Sequence, residues 1–198
     1  MSSSLRCSVT VASLAVRIRL ATVDDAAAIQ AIYNHEVEHT TATFDLVPRT
    51  LDDQRSWLAA RSGAFSAVVA IGPTSPTSTT STTGAVDEVL GFASLSPYKE
   101  RAAYRTSVED SVYVRRDAHG RGVGKMLLNH ILDVASASGF HAVMARIEAS
   151  GVPSRGLHVA CGFELVGIER EIGRKFGRWL DVAVMQCVLH ERVSRSRQ

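Results

Sequence analysis

The feature that most constrains this chain is a short strand-like run that passes through a glycine cluster straight into a long amphipathic segment. It reads Val112-Tyr113-Val114-Arg115-Arg116-Asp117-Ala118-His119-Gly120-Arg121-Gly122-Val123-Gly124-Lys125. Over 122–138, Leu127, Leu128, Ile131, Val134 and Ala135 recur at helical spacing and share one face. Gly139 follows in the position that favours glycine after a helix. A strand, a glycine turn and a helix N-terminus together make an anion site. Glycine lets backbone N–H groups turn inward, and the helix dipole favours negative charge there. Arg121 and Lys125 add positive charge, so the expected ligand chemistry is a phosphate or pyrophosphate. The nucleotide-hydrolase pattern G-x-x-x-x-G-K-S/T fails at His119 and Met126, and the dinucleotide pattern G-x-G-x-x-G fails at Lys125. A plain turn closing a strand–helix corner stays open as the alternative.

The rest of the chain supplies the elements around this turn. Residues 16–20 alternate apolar and polar and predict a strand. Thr22, followed by Asp24 and Asp25, caps a helix through Tyr33, and Thr50 caps a second over 51–60. Strands are expected at 65–71, 89–95, 111–114 and 141–147, then a short helix at 154–160, then strands at 163–168 and 179–188. The order β α α β β β α β α β β predicts a single α/β (α+β) domain with a mixed sheet, not a bundle or a sandwich. That domain spans 16–190. Residues 1–15 are expected to be a disordered extension and 191–198 a solvated tail. From 74 to 83 every residue is Ser, Thr or Pro, so 72–87 reads as an insert lengthening a hairpin loop.

Composition narrows the partners. Lys plus Arg is 22 and Asp plus Glu is 20, a net charge of +2 that argues against nucleic acid. No apolar run is long enough for a membrane helix, so no membrane partner is expected. The three cysteines, Cys7, Cys161 and Cys187, form no CxxC pair, so neither a zinc site nor a disulfide framework is expected and the cytoplasm is the simplest setting. His35 and His39 stand one helical turn apart but lack a third ligand, so no metal is expected.

His119-Gly120-Arg121-Gly122-Val123-Gly124 resembles the pyrophosphate signature Q/R-x-x-G-x-G/A of the GNAT N-acetyltransferase superfamily, apart from its first position. Further stretches are similar to the phosphinothricin and methionine sulfone/sulfoximine acetyltransferases within it. These are 31–34 with 40–44, 101–104 leading into 108–114, Leu157-His158 before Gly162-Phe163, and 175–181. The resemblance implies a GNAT fold, a mostly antiparallel mixed sheet flanked by helices, with acetyl-CoA as acetyl donor. It also implies a small amino-acid analogue as amine substrate and a homodimer.

The resemblance places the general base at Glu109, where apolar neighbours would raise a carboxylate pKa. It places the acid for the leaving thiolate at His158. Because strand neighbours face opposite sides, only one of Glu109 and Asp110 can face the substrate. Val112, Tyr113 and Val114 are expected to hold the pantetheine arm by their backbone. His119, Gly120, Arg121, Gly122, Val123, Gly124 and Lys125 would hold the pyrophosphate, with Gly151 also near the cofactor. Phe44, Arg101, Ala103, Tyr104, Lys175 and Arg178 are candidates for the substrate, since guanidinium and ammonium groups suit its oxyanions. Two positions depart from the family pattern: His119 replaces Gln or Arg, and Gly151 replaces an Asn. They leave open a catalytically weakened acyl-CoA-binding protein. An acetyltransferase for a protein N-terminus or a polyamine is the other alternative.

Overall fold

Strand alternation puts Val68 and Ala70 on one side of a sheet and Val69 on the other, and the core divides accordingly. A computed structural model describes residues 16–73 and 87–190. The expected extension at 1–15, the run at 74–83 and the tail at 191–198 lie outside the described residues. The strands are β1 (Arg17–Leu20), β2 (Val68–Gly72), β3 (Glu88–Pro97), β4 (Ser107–Val114), β5 (Ala142–Glu148), β6 (Glu164–Lys175) and β7 (Arg178–Val188). They form one sheet in the order β1-β2-β3-β4-β5-β7-β6. Every pairing is antiparallel except β4 with β5. The helices are α1 (Ala26–His39), α2 (Leu51–Ala59), α3 (Val123–Ala137) and α4 (Val152–Val159). This is the expected mixed, mostly antiparallel α/β architecture.

One face of the sheet carries α3, whose Leu127, Leu128, Ile131 and Ala135 pack on Val68, Ala70, Leu90 and Val108. The other face carries α1 and α2, with Ile29, Ile32, Tyr33 and Leu58 around Val69 and Phe92. Tyr113 joins that second cluster: its ring stacks on Phe92 at 5.2 Å and meets Tyr33 edge-on at 5.1 Å.

Local signals set the helix ends. Thr22 donates from its backbone N to Asp25 at 2.7 Å, starting a 3-10 turn that runs into α1. The Thr50 hydroxyl accepts from the Asp53 backbone N at 3.1 Å and starts α2. Gly122 opens α3 in the left-handed region at φ 79°, and Gly139 leaves it at φ 80°.

Several boundaries differ from expectation. The first helix runs on to His39. Phe65 closes a 3-10 turn instead of starting a strand. The strand expected at 111–114 begins at Ser107, so Glu109 lies within it. β6 extends to Lys175, well past residue 168, and turns through Phe176 and Gly177, both at positive φ (49° and 76°). Two such residues make the hairpin turn whose twist matches the strands. Most of β6 is exposed or half-buried, so it carries no apolar alternation for a pattern to detect.

The parallel seam is short. β4 pairs with β5 only from Ser107 to Glu109, opposite Ala142 to Met144. Beyond it β4 stays on β3, while β5 stays on β7. The sheet therefore opens between β4 and β5 from Asp110 onward.

Candidate active site

Both ends of this opening are marked by sequence features. Below it stands Glu109, in the last β4–β5 pair. Above it, β4 ends in the glycine turn that starts α3. Along the gap, Val112, Tyr113 and Val114 hydrogen-bond to β3 on one side and have no β5 partner on the other, among the described residues. Their outer backbone edge can pair with an extended ligand arm.

The glycine turn is open where a phosphate would approach. A Cβ placed on Gly120 or Gly122 would meet nothing within 4 Å, and both glycines have positive φ. Ala118 is buried and anchors the turn from below. Gly124 has a different duty. A Cβ there would lie 3.1 Å from Leu157 Cδ2, so glycine lets α3 pack closely on α4. Val123 is buried in the core, so its contribution to an anion site is its backbone. Lys125 is exposed, and Arg121 donates to the Pro73 carbonyl at 3.1 Å. His119 Nε2 donates to the Val114 carbonyl at 2.9 Å. The residue that departs from the family signature is thus tied back to β4. A pyrophosphate fits the turn through its backbone N–H groups and the two flanking cations.

Glu109 and Asp110 face opposite sides of β4, as alternation requires. Glu109 belongs to the α1 side of the sheet. Burial pushes its carboxyl above the usual carboxylate range. Arg146 opposes that, while Asp110 and Glu169 reinforce it. Arg146 on β5 is bound to Glu169 on β6, with one contact at 3.1 Å. Sequence reasoning missed this ion pair. The alternating Met144, Arg146 and Glu148 on β5 were the available signal.

Asp110 points to the other face, into α4. There its Oδ2 lies 3.1 Å from His158 Nε2, and both side chains are buried. Burial alone would depress the His158 pKa. The hydrogen bond and charge of Asp110, with the Ser154 carbonyl, raise it instead. Asp110 was not among the expected functional residues.

The expected substrate residues fall into two groups. Arg101, Ala103 and Tyr104 lie in and beside a 3-10 turn between β3 and β4, exposed, at the Glu109 end of the gap. Phe44 and Arg178 lie at the opposite end, where β5 finishes. Phe44 rests on Gly173 of β6 so closely that a Cβ there would come within 2.2 Å of its ring. Arg178 is exposed beside the hairpin turn. Lys175 is a correction. Its ammonium is buried and donates to the carbonyls of Thr43 (2.8 Å) and Glu36 (3.3 Å). It ties β6 to the loop after α1 and is not a free cation for a substrate carboxylate. That loop is also held by Thr41, which donates to Glu148 at 3.1 Å, and by Tyr33, which donates to Asp45 at 2.6 Å.

Gly151 opens α4 as the centre of a tight turn closed by Val152 N to Ser150 O at 2.8 Å. A Cβ at 151 would lie 2.9 Å from the Glu148 carbonyl. Glycine at this departure therefore suits the local backbone, at the end of β5 beside the gap. No group of three or more His, Cys, Asp or Glu among the described residues could hold a metal ion.

Comparison with known proteins agrees with this architecture. An acetyltransferase (GNAT) domain model matches residues 18–184. An L-methionine sulfoximine/L-methionine sulfone acetyltransferase of Pseudomonas paraeruginosa is 38% identical over 89% of this chain and 96% of its own. A phosphinothricin N-acetyltransferase of Streptomyces coelicolor is 38% identical over 85% and 93%. Among solved structures, a phosphinothricin acetyltransferase of Sinorhizobium meliloti in complex with acetyl-CoA superposes with a TM-score of 0.76. It is 34% identical and covers 87% of this chain and 88% of that one.

Proposed function

Because the chain belongs to the GNAT acetyltransferase family, we propose that it acetylates the α-amine of a small amino-acid analogue such as phosphinothricin, methionine sulfone or methionine sulfoximine. The relatives acting on those compounds support this choice. The observation that carries it is the opening of the sheet between β4 and β5, with the half-buried Glu109 at its closed end. Acetyl-CoA supplies the activated thioester. The backbone of 112–114 and the turn 119–125 hold and orient it.

Glu109 takes the proton from the substrate ammonium, because an ammonium has no lone pair to attack with. A carboxyl pushed upward is a better base than a solvated one. The new N–C bond forms as the thioester C–S bond breaks, and the sulfur receives its proton from His158. The nitrogen sheds its second proton and Glu109 its captured one to water, and His158 takes one back, so one proton is released per turnover and atoms and charge balance. Arg101 and Tyr104 stand at the Glu109 end to meet the substrate head group, and Phe44 walls the far end. The protein works in the cytoplasm, the simplest setting for a chain whose three cysteines form no CxxC pair. It forms a homodimer through β6, an edge strand exposing Leu165, Val166, Ile168 and Ile172.

The test is a thiol-release screen of acetyl-CoA against amino-acid analogues, polyamines and N-terminal peptides, with sedimentation to read the dimer. Turnover with phosphinothricin or methionine sulfone is the expected result. Acetyl-CoA binding without turnover of any amine refutes the enzyme reading.

A further inference from the structure

His158 makes a hydrogen bond at each ring nitrogen, and together these define its charge. Nδ1 lies 2.7 Å from the Ser154 carbonyl oxygen. A carbonyl only accepts, so Nδ1 carries a proton. Nε2 lies 3.1 Å from Asp110 Oδ2. In a neutral ring with its proton on Nδ1, Nε2 is a bare lone pair facing a carboxylate, which is a repulsive contact. A second proton between Nε2 and Oδ2 turns it into a hydrogen bond.

The surroundings strengthen that hold. Asp110 Oδ1 is buried and has no hydrogen-bond partner among the described residues. The carboxylate therefore depends on His158, and loss of the shared proton would strand a buried anion. Among the described residues, Asp110 is the one charged group that acts on the ring. Phe163 meets it edge-on at 4.9 Å. α3 approaches α4 through Gly124 and Leu157, and β5 approaches its start through Ile147. Glu109 faces the opposite side of the sheet, as do Arg146 and Glu169. The raised His158 pKa agrees with this arrangement. Asp110 is also the first β4 residue past the last β4–β5 pair, so the couple sits at the vertex of the opening.

We propose that Asp110 is a positioning residue that keeps His158 an imidazolium before substrates bind, so that the proton for the departing sulfur is stored in the pair. The catalytic half of this proposal rests on His158 acting as the acid. The protonation state stands independently of it. During transfer the Nε2 proton moves to sulfur as the C–S bond breaks, and water restores it afterwards.

The experiment is ring-nitrogen NMR of His158 in the full chain without ligand, read beside the pH profile of kcat. Wild type should show both nitrogens protonated at neutral pH. Asp110→Asn can turn its amide N–H toward Nε2 and satisfy a neutral ring. It should lower the His158 titration midpoint by about one unit or more, the usual effect of an adjacent opposite charge. Since an acid works only while protonated, kcat falls as pH rises through that midpoint, and in the variant this limb should move to lower pH by the same amount. Acetyl-CoA affinity should hold. A bare Nε2 in wild type at neutral pH overturns the proposal with no variant needed, as does an unchanged midpoint in folded Asp110→Asn. A midpoint that moves while the kcat limb stays still overturns the role of His158 as acid and leaves the stored proton in place.

Discussion

Gly91 on β3 is boxed in by the strand that lines the cofactor gap, and Gly91→Ala tests how tightly that strand is held. The new Cβ would lie 2.7 Å from the Tyr113 carbonyl oxygen, 3.1 Å from Leu127 Cδ1 and 3.2 Å from Val114 Cα. Two of the three are backbone atoms, so no rotamer change relieves the contact. Reaching ordinary van der Waals separation, 3.4 Å or more, requires β4 to retreat from β3 by about 0.7 Å at Tyr113. Overpacking of this kind costs about 2 kcal/mol. For a chain of this size that is a fall in Tm of about 4–8 °C. The shift also moves the backbone of Val112, Tyr113 and Val114, so KM for acetyl-CoA should rise about tenfold, equivalent to about 1.4 kcal/mol. Differential scanning calorimetry reads the first effect and initial rates at saturating amine read the second. Gly167→Ala on β6 is the control, because a Cβ there meets nothing within 4 Å. If Gly91→Ala melts within about 1 °C of wild type and keeps its KM, then β4 is not held rigidly against β3 and the reasoning fails.

Gly173→Ala would drive Phe44 off β6, since the Cβ would lie 2.2 Å from the ring, and KM for the amine should rise about tenfold with KM for acetyl-CoA unchanged. An unaltered amine KM removes Phe44 from the substrate wall. Glu109→Gln should leave acetyl-CoA binding intact and lower kcat by about 10²-fold or more. Its effect on stability has the opposite sign. A carboxyl with a raised folded pKa contributes stability below the ordinary Glu range and loses it as pH rises through the raised value. The variant should therefore gain Tm relative to wild type above neutrality and lose that advantage in mild acid, as thermal melts across pH would read. Arg146→Ala removes the cation that holds the Glu109 pKa down. The acid limb of kcat/KM should then move to higher pH, and a limb that stays put means another group is the base.

Much of the fold was legible because its signals are local. The Thr22 and Thr50 caps, the helical spacing of Leu127 to Ala135 and the left-handed Gly122 and Gly139 each depend on residues within a few positions. Of the site, strand alternation put Glu109 and Asp110 on opposite faces and the glycines put a turn between β4 and α3, while the roles of Glu109 and His158 rest on family resemblance. Lys175 was misplaced because its charge alone gave no hint that Thr43 and Glu36 would bury it. β6 was cut short because an exposed edge strand has no apolar period to read.

By itself, the sequence determined the element order, the glycine turn and the kinds of residue available for acid–base chemistry. Those properties follow from backbone propensity and short-range periodicity. Only the tertiary structure decided that β4 leaves β5 at Asp110, that Arg146 and Glu169 share the environment of Glu109, and that His158 meets a carboxylate 48 residues away. Burial and strand register set those relations, and both arise from packing between distant segments.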